Sequence, residues 1–244
     1  MPAQLSVNIN KYALLRNSRG HNNPDLLQAL DACLSAGAHG ITIHPRLDQR
    51  HIRFEDVPII AAHMAKHHPG VELNIECEDH PFILEMVLDI RPAQCTLVPV
   101  TSGEITSDHG WELPRQDSRL RPTVARLKEA GIRVSIFMDC EPDVMARAAA
   151  IEVDRVELYT GPYAWAWGTP AQDEQTARIL ATGRAAAAVG LGVNAGHDLD
   201  TDNLIGLRAM TELDEVSIGH AQICRALQVG TTVSIGELLA AMGW

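Results

Sequence analysis

Short apolar, β-prone runs recur along the chain, each followed by a longer stretch with helical spacing. The runs lie at 5–10, 40–44, 71–76, 95–99, 133–139, 155–160, 192–195 and 215–218. Most read as continuously apolar, the pattern of parallel strands covered by helices. Helical periodicity fills the intervals at 24–36, 54–67, 81–90, 120–130, 142–150, 171–189, 202–210 and 221–228, and a last helix is expected at 235–242. Proline opens one of these at Glu141-Pro142, and glycine closes others at Ala36-Gly37, Ala130-Gly131 and Val189-Gly190. Eight such units in 244 residues predict one (β/α)8 TIM barrel domain, spanning 1–244, with additional helices. A doubly wound sheet is the alternative, but no G-x-G-x-x-G follows the first run. The longest irregular stretch, 100–118, has the length of a lid or binding loop.

Composition narrows the partners. A formal net charge of -11 argues against a general nucleic-acid or membrane-surface binder, yet leaves room for a phosphorylated ligand held by a few arginines and main-chain N–H groups. The five cysteines are dispersed, with no C-x-x-C pair, which suits reduced thiols in the cytosol. The first residues lack the basic and apolar regions of a secretory signal, and no apolar run reaches membrane-spanning length. A cytoplasmic protein is expected.

Candidate chemistry gathers where the strands end, the rim on which barrel enzymes build their sites. The first run ends in Asn8, Asn10 and Lys11, with Arg19 beyond; the second ends in His44 and Arg46, with Arg50 and His51 close behind. Glu76 ends the third, Thr106 follows the fourth, Asp139 ends the fifth, and Glu157, Tyr159 and Thr160 end the sixth. The last two finish alike, in Gly196-His197-Asp198 and Gly219-His220. His44, Glu76 and His197 are residue types suited to proton transfer. Arg19, Arg46 and His51 suit charge-assisted phosphate binding, and the two Gly-His ends sit where barrels often hold phosphate on main-chain N–H groups. Asp198 is awkward there, because a carboxylate repels a phosphate unless it turns away. His44, Glu76, His197 and His220 include metal-ligand types, but no H-x-x-x-H pair lies at a strand end, so no metal is expected. His63 and His67 have that spacing on a polar helical stretch, where a solvated face is the simpler reading.

These segments resemble the pyridoxine 5'-phosphate synthase family. The resemblance runs from Val7 to about Gln228 and is carried by Val7-Asn8-Ile9-Asn10-Lys11, Leu15-Arg16-Asn17-Ser18-Arg19-Gly20, Ile41-Thr42-Ile43-His44-Pro45-Arg46, Asp48-Gln49-Arg50-His51-Ile52, Asn74-Ile75-Glu76, Leu97-Val98-Pro99, Glu157-Leu158-Tyr159-Thr160-Gly161, Val193-Asn194-Ala195-Gly196-His197 and Ile218-Gly219-His220-Ala221. It implies a cytoplasmic (β/α)8 barrel assembled as an octamer. It also implies condensation of 3-amino-2-oxopropyl phosphate with 1-deoxy-D-xylulose 5-phosphate to give pyridoxine 5'-phosphate, phosphate and water, without a cofactor. By the same resemblance His44 and Glu76 accept protons, His197 donates one, and Glu157 stabilises a transition state. Asn8, Arg19, Asp198, Gly219 and His220 would contact the amino-ketone phosphate. Asn10, Lys11, Arg46, His51 and Thr106 would contact the deoxyxylulose phosphate.

Three departures stand out. Asn10-Lys11 replaces a common Asp-His, Asp198 replaces a common glycine, and the loop after Leu97-Val98-Pro99 lacks the basic residues often found there. Two other readings of the site remain: a different proton-transfer barrel enzyme acting on a phosphorylated sugar, and a non-catalytic protein that binds a phosphorylated metabolite.

Overall fold

The structure, a computed structural model, describes residues 3–101, 103–104 and 106–244. Strands β1 (Gln4–Asn8), β2 (Gly40–Ile43), β3 (Glu72–Cys77), β4 (Gln94–Leu97), β5 (Arg133–Met138), β6 (Arg155–Tyr159), β7 (Gly192–Gly196) and β8 (Leu213–Ile218) pair in parallel, each with its neighbour in sequence. Closure comes from β1 against β8, with Gln4 opposite Glu215 and Val7 opposite Ile218. This is the (β/α)8 barrel that the rhythm of the chain predicts.

Around it run helices α1 (Asn10–Asn17), α2 (Leu26–Ser35), α3 (Asp56–His67), α4 (Pro81–Ile90), α5 (Leu113–Glu129), α6 (Met145–Ala150), α7 (Gly161–Ala166), α8 (Gln172–Ala188), α9 (Leu204–Leu207), α10 (His220–Val229) and α11 (Thr231–Met242), with a 3-10 turn over Pro142–Val144 before α6. Local chemistry sets several starts: the Asp25 carboxylate accepts from the N–H groups of Leu27 and Gln28 to cap α2, and Pro81 occupies the first turn of α4. Among the described residues no helix is long and apolar enough to cross a membrane.

Three sequence expectations need correction. The first strand stops at Asn8, and residues 10–17 form α1. Helix α7 follows β6 directly, and α5 begins at Leu113, so the irregular segment is shorter than expected. The strands also alternate rather than run apolar throughout. Val7, Ile41, Ile75, Leu97, Ile136, Leu158 and Val216 belong to the apolar core shared with the helices. Between them, Ser6, Thr42, Asn74, Thr96, Gln94, Asn194 and Glu215 are buried and joined by hydrogen bonds, including one from Asn194 of β7 to Gln94 of β4. A bond between those non-adjacent strands crosses the barrel. The lumen of this barrel is therefore a polar network, where aliphatic layers are the common filling.

That network holds a proton. Burial, and then the neighbouring Glu72, push Glu215 up to about 8, while Arg155 and Arg133 act in the opposite sense. The folded state therefore retains a proton that the unfolded chain releases near its ordinary value of 4.5. The resulting contribution to stability is complete below that value and is lost as pH rises through about 8. Glu215→Gln is expected to stabilise the protein by about 1–2 kcal/mol more at pH 8 than at pH 5, or several degrees in Tm. Thermal melts of both proteins at the two pH values check this; equal differences would remove Glu215 as the protonated group.

Candidate active site

A cavity of about 530 Å³ opens at the C-terminal ends of the strands. That is ample for small phosphorylated molecules. Its lining includes Asn8, Asn10, Lys11, His44, Arg46, His51, Glu76, Thr106, Glu157, His197, Asp198, Gly219 and His220. Of the residues given catalytic or substrate-binding roles from the sequence, all line it except Arg19, which is exposed just beyond α1; the strand-end residues Asp139, Tyr159 and Thr160 also lie outside the lining. Arg50, Phe137 and Ser217 are among the other residues of the walls and were not singled out as binding residues.

The ends of β1, β2 and β3 build the first cluster. His44 Nδ1 lies 3.4 Å from Glu76 Oε2, and the Asn8 amide donates to both Glu76 oxygens at 3.4 and 3.5 Å. Asn10 accepts from the His44 main-chain N–H at 2.9 Å and so braces the end of β2. His44 Nε2 is buried and has no hydrogen-bond partner among the described residues. An imidazole backed by a carboxylate on one nitrogen and unpaired on the other is arranged to accept a proton.

His51 is not the cation expected from its sequence context. Burial, followed by the charges of His44, Arg46, Lys11 and Arg50, pushes it down to about 3. Its Nδ1 accepts from the N–H of Ile52 at 2.9 Å, which leaves Nε2–H as a neutral donor. Positive charge in this quarter comes from Arg46, Arg50 and Lys11. Arg46 is turned to Glu104, with both terminal nitrogens 3.5 Å from Oε1, and Arg50 donates to the Glu104 carbonyl at 3.0 Å. The segment after β4 thus reaches back onto the arginines of the second βα loop.

Glu157 sits deep between β5 and β7. Burial, and then the neighbouring carboxyls of Glu76 and Glu215, raise its carboxyl well above the ordinary value, which favours the protonated, hydrogen-bond-donating acid. Gly196 makes room for it: a Cβ at that position would stand 2.2 Å from Glu157 Oε1. Gly219 serves the neighbouring strand end, where a Cβ would meet the Asn8 carbonyl oxygen at 2.7 Å. Gly219 also opens α10, and the cavity is lined there by Gly219, His220 and Ala221. The start of a helix offers unpaired N–H groups and a favourable field to an anion.

On the opposite wall His197 has φ +89° and Asp198 φ +57°, left-handed conformations that side-chain-bearing residues seldom adopt. The Thr160 hydroxyl holds this turn by donating to the carbonyls of Gly196 and His197. His197 Nε2 pairs with Thr106 Oγ1 at 3.0 Å, and Tyr159 packs edge-on against the ring at 5.2 Å between centroids. The Asp198 carboxylate has turned onto Trp165 Nε1, at 2.8 Å, and towards His197. Away from the cavity, Asp31 accepts from His63 and His68 at 2.7 Å, so His63 is paired within the protein, whereas His67 is exposed as the solvated-face reading expects.

Fold and site together define a (β/α)8 barrel enzyme equipped to move protons beside anionic groups. The model of the family described as "Pyridoxal phosphate biosynthesis protein PdxJ" matches residues 5–243. Pyridoxine 5'-phosphate synthase of Albidiferax ferrireducens is 48% identical over 98% of this chain and 97% of its own. That of Xanthomonas axonopodis pv. citri is 47% identical over 96% and 94%. The chain belongs to the PdxJ family of pyridoxine 5'-phosphate synthases. Among solved structures, the tryptophan synthase A-subunit of Pyrococcus furiosus superposes with a TM-score of 0.64 at 12% identity, over 98% of each chain. Phosphoribosyl anthranilate isomerase of Thermus thermophilus does so with 0.60, also at 12% identity. At that identity the likeness concerns the fold alone.

Proposed function

We propose that this chain condenses 3-amino-2-oxopropyl phosphate with 1-deoxy-D-xylulose 5-phosphate, releasing pyridoxine 5'-phosphate, inorganic phosphate and water. The observation that carries the reading is the convergence on one cavity of the His44–Glu76 pair, the deeply buried Glu157 and His197. Forming the ring requires an imine, loss of phosphate, a new carbon–carbon bond and loss of water. Each step takes up or delivers a proton, so several acid–base groups serve it better than a single nucleophile. His44, backed by Glu76, is the proton acceptor. His197 gives a proton from Nε2, and Glu157 donates a hydrogen bond to negative charge developing on substrate oxygen. No cofactor takes part in this scheme.

The two phosphates take two walls. Asn8, the main chain at Asp198, Gly219 and His220 receive the amino-ketone phosphate, and Arg19 joins them only if the segment after α1 moves inward. Asn10, Lys11, Arg46, His51 and Thr106 receive the deoxyxylulose phosphate. Lys11 supplies charge there, and the neutral His51 supplies an N–H. Arg46→Ala is expected to raise KM for the deoxyxylulose phosphate at least tenfold, about the loss of one charge-assisted hydrogen bond, and to change KM for the amino ketone far less. Steady-state kinetics with each substrate varied check this; an unchanged KM would remove Arg46 from that subsite.

Incubating the purified protein with both substrates and following pyridoxine 5'-phosphate and phosphate release tests the whole reading. A folded protein that binds both and forms no product would overturn it. We further infer that the enzyme works in the cytoplasm as a homo-octamer, which light scattering of the purified protein tests.

A further inference from the structure

The Asp198 carboxylate does something that a glycine at this position could not. Its Oδ2 accepts from Trp165 Nε1 at 2.8 Å and lies 3.2 Å from His197 Nδ1. That ring nitrogen is buried and has no aligned hydrogen-bond partner among the described residues. The other ring nitrogen, Nε2, faces Thr106 Oγ1. The turn that sets this geometry is held from outside the pair. Thr160 ties the carbonyls of Gly196 and His197, and Asn203 Nδ2 donates to the Asp198 carbonyl at 3.0 Å. Two successive left-handed residues cost on the order of 1–3 kcal/mol each, and the surrounding hydrogen bonds offset that cost.

We propose that Asp198 is a positioning residue for His197. It accepts a hydrogen bond from Nδ1–H in a carboxylate–imidazole pair, and Trp165 holds the carboxylate in place. A small rotation of the ring converts the present contact into a directed bond, as catalytic hydrogen bonds commonly tighten once substrate is bound. With Nδ1 committed, Nε2 is the nitrogen presented to the cavity, and proton transfer runs through that atom alone. This rests on the reading of His197 as the proton donor.

Asp198→Gly is the first test, because glycine accepts φ +57° without strain and the fold is retained. The expected result is a kcat about tenfold lower, with both KM values within about twofold of wild type. Nitrogen-15 NMR of the labelled histidines reports the ring directly, and the His197 tautomer preference is expected to be lost in the variant. Asp198→Asn, whose amide oxygen still accepts, retains more of kcat than the glycine variant. Trp165→Phe lowers kcat about two- to fivefold by releasing the carboxylate. An unchanged kcat in Asp198→Gly, or a loss confined to KM for the amino ketone, would overturn the proposal. His197→Asn separates the two levels. Full activity there removes the donor assignment itself, whereas an inactive His197→Asn beside a fully active Asp198→Gly overturns only the positioning role.

Discussion

Replacing His197 by asparagine is expected to lower kcat by about 10³-fold while leaving both substrates bound. Asparagine is the informative choice. It tolerates the left-handed φ of +89° better than most residues, so the turn survives. What it lacks is a nitrogen that gives and recovers a proton near neutral pH. A general acid is worth about 10²–10⁴-fold, and His197 is assigned to donate in a reaction with several proton transfers, so the middle of that range is the expectation. Steady-state kinetics and direct titration of each substrate separate turnover from binding. Wild-type turnover in this variant would remove His197 from the chemistry.

The second large effect comes from a residue with no functional group. Gly196→Ala is expected to lower kcat about 10²-fold, because the added methyl would sit 2.2 Å from Glu157 Oε1 and 3.3 Å from its carboxyl carbon. The remaining close neighbour, Ser217 Cβ, is at 3.5 Å, an ordinary contact, so the strand itself has room. The burden falls on the end of the Glu157 side chain, which must leave the position where burial keeps it protonated. Glu157→Met is the matching control: it keeps the length and most of the volume but has no hydrogen-bond donor. Similar kcat losses in the two variants, with melting temperatures within a few degrees of wild type, would identify the Glu157 position as what Gly196 protects. A fully active Gly196→Ala would show that the exact placement of this carboxyl is unimportant.

Much of this molecule is legible in the order of its residues. Strand ends fall within one or two positions of where the apolar runs end, because each strand is a short β-prone segment bounded by turn residues. The misreadings have physical causes. Helix α1 begins two residues beyond β1, and its polar residues, several of them buried against other loops, hide its period: Arg16 is 4% exposed and pairs with Asp56 at 2.7 Å. The first turns of α5 carry no apolar repeat; buried Leu113 and the Trp111 indole, which donates to the Leu97 carbonyl at 2.8 Å, anchor its approach. The polar lumen was present as alternation in Ile41-Thr42-Ile43-His44 and Leu73-Asn74-Ile75-Glu76, but alternation alone does not say which face will find partners.

By itself the sequence determined the barrel, the rim on which polar residues collect, and the family to which those residues point. All three follow from local period and residue type. Only the tertiary structure decided the state and partner of each group. The Glu157 carboxyl is raised because barrel closure buries it near Glu76 and Glu215. His51 is neutral because it is buried among cations. Arg46 meets Glu104 and Trp165 meets Asp198 across separations of 58 and 33 residues. Protonation and pairing depend on burial and on distances of a few ångströms, and for residues this far apart closing the barrel sets both.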